Sequence, residues 1–321
     1  MVAIGGQVLE CARMLTRFMV SASLVAFAAC GGGANGTSNT PDAPGSGSGS
    51  GSGTSPDAAI INSTTPVIPA PTGVCPAITP GDVTFAPAGI PPRKVKLAFD
   101  AAKVGTGPLI IYWYATGSGT FESAYSLGTT ESAITSAGGI VATPYADSTA
   151  GQFEWFIVNM SPKQDDFLVA DEVVGCLAQA HMIDTNRIHS MGMSAGALQT
   201  TAIGFIRASY IASVATYSGG VPPGFMPTNQ DPENKFAALI FDGGTSDNVY
   251  SVDFQAASKS YKAMLEADGH FAAICDHNMG HAIPLDAAPS VAAFFTANPW
   301  GAWPSPYASG LPAGFPTYCS L

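Results

Sequence analysis

Residues 186–210 read NRIHSMGMSAGALQTTAIGFIRASY, and the fold is decided here. NRIHSMGM is a short, largely apolar run that follows turn residues, the pattern of a strand buried on both faces. Gly192-Met193-Ser194-Ala195-Gly196 then forms a G-x-S-x-G pattern, and the alanine-rich remainder reads as a helix. A serine held on so sharp a strand-to-helix turn needs glycine on either side, because a side chain there would block the close backbone approach. The helix aims its positive end at the place where an oxyanion would form. Ser194 is therefore the candidate nucleophile.

Outward from this turn, the chain alternates strand-like and helix-like stretches. PLIIYWYA (108–115), GGIVATPY (138–145), IASVATYS (211–218), FAALIFDG (236–243) and HFAAIC (270–275) are further buried-strand patterns. DDFLVADEVVGCLAQAHMI (165–183) spaces Phe167, Val169, Ala170, Val173, Val174 and Leu177 helically, with Asp165 and Asp166 at the dipole-favoured start. Alternation of this kind predicts an α/β fold with a mostly parallel sheet flanked by helices.

A serine hydroxyl needs a base to take its proton and a carboxylate to orient that base, in the chain order Ser, Asp, His on such a fold. Asp247 lies on the loop after FAALIFDG, at the carboxyl end of a strand, where open α/β sheets build their sites. Asp242 competes from the strand terminus, where it could instead cap the turn, and Asp253 stands further along. His281, on the Gly-flanked loop NMGHAIP, is the candidate base, with His277 as runner-up. His189 falls within the Ser194 strand and reads as a packed residue, His181 ends the preceding helix, and His270 starts a strand. The oxyanion needs two backbone N–H groups. Ala195 supplies one; Thr116, or else Gly117, in the loop after PLIIYWYA supplies the other. Tyr114, Tyr145, Trp155 and Met193 are candidates to line the cleft, while Trp300, Trp303 and Tyr307 of the C-terminal tail favour covering the sheet edge. The loop at residues 115–119 has neither the Lys of a phosphate-binding loop nor a dinucleotide fingerprint, so no cofactor is expected.

DDFLVADEVVGCLAQAHMIDTNRIHSMGMSAGA resembles the helix, Asp-x-x-Arg-[IV] strand and G-x-S-x-G segment of the polyhydroxybutyrate depolymerase and feruloyl esterase group of α/β-hydrolases. IASVATYSGG is similar to that group's strand ending in Ser-Gly, GGTSDNVY to its acid loop and GHAIP to its histidine loop. The resemblance spans roughly residues 95–295. It implies an α/β-hydrolase fold, a serine carboxylic ester hydrolase activity, and Ser194, Asp247 and His281 as nucleophile, acid and base. The chain departs from the group at Tyr114-Ala115, where His-Gly is usual, at Asp242-Gly243-Gly244, and at Ile283 in the place of a Trp.

Composition bounds the rest. The 321 residues are 46% hydrophobic and 11% charged, with 12 Lys+Arg against 23 Asp+Glu and a net charge of −11. That is the wrong sign for gripping a phosphate backbone, so no nucleic-acid partner is expected. No apolar run reaches the ~18–20 residues that span a bilayer. FMVSASLVAFAA (18–29), preceded by Arg13 and Arg17 and followed by Cys30, has the layout of a secretory signal. Met14 makes a more usual initiator for it than Met1. The junction resembles a lipobox, with Phe27 where Leu is usual, and implies lipidation of Cys30 at the start of the mature chain. Membrane attachment would then rest on acyl chains alone. Residues 31–72 read as a disordered Gly/Ser/Pro linker and 73–321 as the catalytic domain. In an exported chain Cys75, Cys176, Cys275 and Cys319 imply two disulfides, with Cys75–Cys319 favoured because both lie near the domain's ends. No Cys/His spacing suggests a metal.

The expected protein is a secreted or surface-tethered monomer acting on an ester, small or polymeric. A serine peptidase on the same fold and a surface-binding lipoprotein with a degenerate site are the alternatives.

Overall fold

The structure is a computed structural model that describes residues 65–228 and 234–321. The leader over residues 1–30, with Cys30, and the linker up to residue 64 lie outside the described residues. In chain order the elements are β1 (Gly81–Phe85), β2 (Arg93–Ala98), β3 (Leu109–Trp113), α1 (Glu122–Leu127), α2 (Thr129–Ser136), β4 (Ile140–Pro144), α3 (Asp165–Gln179), β5 (Ile188–Met193) and α4 (Ala195–Ile206). They continue with β6 (Ser213–Tyr217), β7 (Ala237–Asp242), β8 (Asn248–Val249), β9 (Val252–Asp253), α5 (Phe254–Ala267), β10 (Phe271–Asp276), α6 (Ala288–Ala297) and β11 (Cys319–Ser320).

Nine strands form one sheet in the order β1-β2-β4-β3-β5-β6-β7-β10-β11. From β4 to β10 every neighbouring pair is parallel, whereas β1, β2 and β11 join antiparallel. Every residue of β3, β4, β5, β6 and β7 is buried, which is why these strands read as unbroken apolar runs without alternation. From β3 the chain steps to β4 on one side, and from β5 it steps through β6, β7 and β10 on the other. The strand order thus reverses between β3 and β5, and ligands bind beyond the carboxyl ends of strands at such a switch point. The loop at 115–119 and Ser194 leave those two ends.

Two elements hold the approaches to this point. Arg93 of β2 is buried and pairs with Asp166 at 2.8 Å and Asp147 at 3.2 Å. Asp166 also accepts the Phe156 N–H at 2.7 Å. Asp166 therefore does more than complement a helix dipole: it ties the segment before α3, which carries Phe153 and Glu154, to the sheet. At the other end, the tail packs Tyr307 against Phe294 and Phe315, and the Trp300 N–H donates to the Asn186 carbonyl at 2.7 Å. The tail covers apolar surface, as its aromatic content suggested.

The linker expected as far as residue 72 ends earlier. Val67 donates its N–H to Ser209, and Glu172 of α3 accepts from the Thr72 N–H, the Thr72 hydroxyl and the Gly73 N–H at 2.7–2.9 Å. The disulfides are Cys75–Cys176 and Cys275–Cys319, so the expected Cys75–Cys319 pairing is corrected. Nearness to the two ends of the domain did not mean nearness in space. Cys75 lies against α3, while Cys319 stands directly opposite Cys275 in the β10–β11 pair at the sheet edge. Disulfides persist in oxidising compartments, which agrees with an exported protein.

Candidate active site

Ser194 sits between β5 and α4 with φ 57° and ψ −120°, a left-handed conformation that a non-glycine residue adopts only when its surroundings enforce it. The enforcement is visible. Its N–H donates to the Tyr217 carbonyl of β6 at 2.9 Å, and its carbonyl accepts the Leu198 N–H of α4 at 2.9 Å. A Cβ on Gly196 would stand 1.9 Å from the Trp113 carbonyl oxygen of β3, which is why that position has no side chain.

The side chain meets its expected partners. His281 Nε2 lies 2.8 Å from Ser194 Oγ, and its Nδ1 lies 2.7 Å from Asp247 Oδ1. With Nδ1–H turned to the carboxylate, Nε2 is free to accept the serine proton. The Phe254 ring, 4.8 Å away, backs the imidazole. Asp247 is 1% exposed. Burial pushes its carboxyl up, but hydrogen bonds from the His281 side chain, the Gly243 N–H and the Ser218 hydroxyl outweigh that and hold it below the usual carboxylate value. Ser218, at 2.8 Å from Asp247 Oδ2, escaped the reading of the sequence. Its trace was the Ser-Gly that ends the β6 pattern. Close contact of the acid and histidine loops sets the register of the three groups: Gly280 donates to the Gly243 carbonyl at 2.9 Å, and a Cβ on Gly243 would lie 1.8 Å from the Gly280 carbonyl oxygen.

The other candidates have different work. His189 is wholly buried, bonded to Ser213 at 2.8 Å and stacked on Phe295. His270 is buried against the Phe236 carbonyl, His277 accepts the Met279 N–H, and Asp253 caps α5 through the Ala256 N–H. Asp242 caps the turn by accepting the Gly244 N–H at 3.0 Å. It is fully buried, its second oxygen has no hydrogen-bond partner among the described residues, and burial pushes its carboxyl up to about 6. A carboxyl raised above its unfolded value of ~3.9 contributes stability that is complete below that value and lost as pH rises through the folded one. Asp242→Asn is therefore expected to be more stable than the parent by about 1–3 kcal/mol at pH 8 and close to it at pH 4. Urea unfolding at the two pH values checks this; a difference independent of pH would contradict it.

Beside Ser194 opens an apolar pocket of about 280 Å³, lined by Thr116, Ala195, Phe153, Val158, Met160, Leu198, Pro222, Pro223, Phe225, Val249, Tyr250, Val252 and Phe254. None of these side chains is charged. Tyr114, Tyr145, Trp155 and Met193, expected to line the cleft, do not. Trp155 is 0% exposed and donates its indole N–H to the Tyr114 carbonyl at 3.0 Å, while Tyr145 reaches out to Asp82. Tyr114 and Met193 are buried in the core. Nearness in sequence to a site loop did not carry their side chains into the opening. The walls come instead from residues 153–160, from residues 222–225, and from the β8–β9 hairpin that follows Asp247. Tyr250 and Ser251 of that hairpin both have positive φ, as a tight two-residue turn requires, and Tyr250 meets Phe153 edge-on at 5.3 Å across the pocket.

No family model matches the chain, and no curated protein matches it in sequence. Solved structures do. Native pOPH is 16% identical with a TM-score of 0.59, over 77% of this chain and 96% of that one. Native sOPH is 15% identical with a TM-score of 0.59, over 79% and 96%. A thermostable esterase is 14% identical with a TM-score of 0.52, over 68% and 62%. The mostly parallel sheet, the strand-turn-helix at Ser194 and these likenesses together show that the chain has the α/β-hydrolase fold.

Proposed function

We propose that the protein is an exported serine carboxylic ester hydrolase working through an acyl-serine intermediate. The observation that carries this reading is His281, poised between Ser194 at 2.8 Å and Asp247 at 2.7 Å. Ser194 Oγ attacks the ester carbonyl carbon while His281 Nε2 takes its proton. The carbonyl oxygen becomes an oxyanion facing the N–H groups of Ala195 and Thr116. His281 returns the proton to the departing alcohol. Water then repeats the sequence on the acyl-serine, releasing the acid and restoring the hydroxyl. Asp247 keeps the imidazole oriented and stabilises its charge.

The pocket supports an uncharged, apolar acyl group, aliphatic or aryl, of the kind that a hydroxybutyrate polyester or a cinnamate ester presents. A charged substituent would lose its hydration there with no partner to replace it. The leader pattern and the two disulfides among the described residues support export; tethering through a lipid on Cys30 belongs to the same proposal.

The test is hydrolysis of p-nitrophenyl acetate and butyrate beside a peptide p-nitroanilide. Turnover of both esters and little of the anilide is expected; anilide cleavage at comparable kcat/KM would favour a peptidase. Leu198 of α4 faces the pocket. Leu198→Phe is expected to lower kcat/KM for butyrate ~10-fold or more and leave acetate within ~3-fold. Equal losses on both esters would show that the acyl group does not occupy this pocket.

A further inference from the structure

The loop of residues 115–119 is short, glycine-containing and exposed at Gly117, yet two of its N–H groups are already committed. The Ala115 N–H donates to Glu122 Oε1 at 3.0 Å. The Ser118 N–H donates to the Ala115 carbonyl at 3.0 Å. Glu122, the first residue of α1, is only 6% exposed, and its Oε1 also accepts the Tyr112 hydroxyl at 3.0 Å. Its own N–H closes the loop onto the Gly119 carbonyl at 3.0 Å. A carboxylate buried beneath a loop is costly unless it holds something in place.

We propose that Glu122 is a positioning residue that clamps this loop to β3, through Ala115 and Tyr112, so that the Thr116 N–H points at the developing oxyanion. The inference rests on the ester hydrolase reading above and extends it to a residue that does not touch substrate. The N–H groups of Ala115 and Ser118 are spent on Glu122 and within the loop, so neither serves as the oxyanion donor. The Tyr114 carbonyl, held by the Trp155 indole at 3.0 Å, fixes the strand end from which the loop departs. The clamp requires an acceptor at Glu122, and a carboxamide oxygen can still provide one.

The test uses Glu122→Ala, Glu122→Asp and Glu122→Gln in the full chain, with active sites counted by a fluorophosphonate. Per titrated site, the alanine variant is expected to lose ~10–100-fold in kcat on p-nitrophenyl butyrate with KM within ~3-fold, since a donor moved by about an ångström loses most of its value in the transition state. Inhibition by butylboronic acid, which forms a tetrahedral adduct on the serine, should weaken in proportion to the loss in kcat/KM. The glutamine variant should recover most of the loss. Glu122→Asp, which draws the acceptor back by one methylene and keeps its charge, should lose kcat as the alanine variant does and keeps the test open where Glu122→Ala fails to fold. Unchanged kcat per titrated site, or a loss in kcat with boronate affinity intact, would overturn the clamp while leaving the hydrolase reading standing. A wild-type protein that hydrolyses no ester would overturn that reading instead.

Discussion

Ser194→Ala is expected to lower ester hydrolysis by ~10⁴-fold or more while leaving the fold intact. The size follows from what remains. Without Oγ no acyl-enzyme can form, and only water attacking a carbonyl polarised by Ala195 and Thr116 is left. His281 keeps its bond to Asp247, so that imidazole stays oriented but has no hydroxyl to deprotonate. Stability separates this loss from misfolding. At φ 57° the serine is held in strain, and alanine inherits that strain whereas glycine does not. Ser194→Gly is therefore expected to be as inactive as Ser194→Ala yet about 1 kcal/mol more stable. Urea denaturation with p-nitrophenyl butyrate assays reads both quantities; substantial turnover by either variant would remove Ser194 from the mechanism.

The second large effect concerns stability. Cys75 and Cys176 are separated by 101 residues, and the bond between them fastens the chain at 67–75 to α3. Cross-linking so distant a pair restricts the unfolded chain by about 4.7 kcal/mol in the loop-entropy model, against about 4.0 kcal/mol for the 44-residue separation of Cys275 and Cys319. Measured losses for native disulfides fall at about 2–5 kcal/mol. The double variant Cys75→Ala/Cys176→Ala is expected near the upper end of that range, because Cys176 is also 1% exposed within the core and its sulfur leaves a gap. Equilibrium unfolding checks it. A loss below about 1 kcal/mol would mean that the segment before β1 is held by the Glu172 hydrogen bonds alone.

The parts of the molecule that sequence made legible are those where one residue type is forced. Gly192 and Gly196 around Ser194 follow from a backbone approach that excludes a Cβ, and the buried parallel strands follow from unbroken apolar runs. Asp247 and His281 were found because the fold dictates their order and because both sit on Gly-flanked loops. Helix α3 was expected over 165–183 and ends at Gln179, where nothing in the apolar spacing marks the stop. The short antiparallel strands β1, β2 and β11 went unread because they alternate or run for only two residues. The pocket walls were missed for a different reason. Phe153, Pro222, Phe225 and Tyr250 come from separate loops, and which side chains converge depends on how those loops fold back over the sheet. Trp155 has the composition of a cleft residue and is instead the buried peg beneath the loop at 115–119. Disulfide pairing was equally illegible: the distance between Cys75 and Cys176 is set by where the chain before β1 lies against α3, a long-range contact with no local signal.

The measurement that bears most directly on the central claim is covalent labelling of the purified protein by a fluorophosphonate, with the adduct located by peptide mass mapping. One adduct per chain is predicted, on Ser194, forming at a rate that falls at least ~10²-fold in His281→Ala and disappearing when the protein is first denatured. Absence of an adduct from folded protein that still hydrolyses p-nitrophenyl butyrate, or an adduct on any residue other than Ser194, would contradict it.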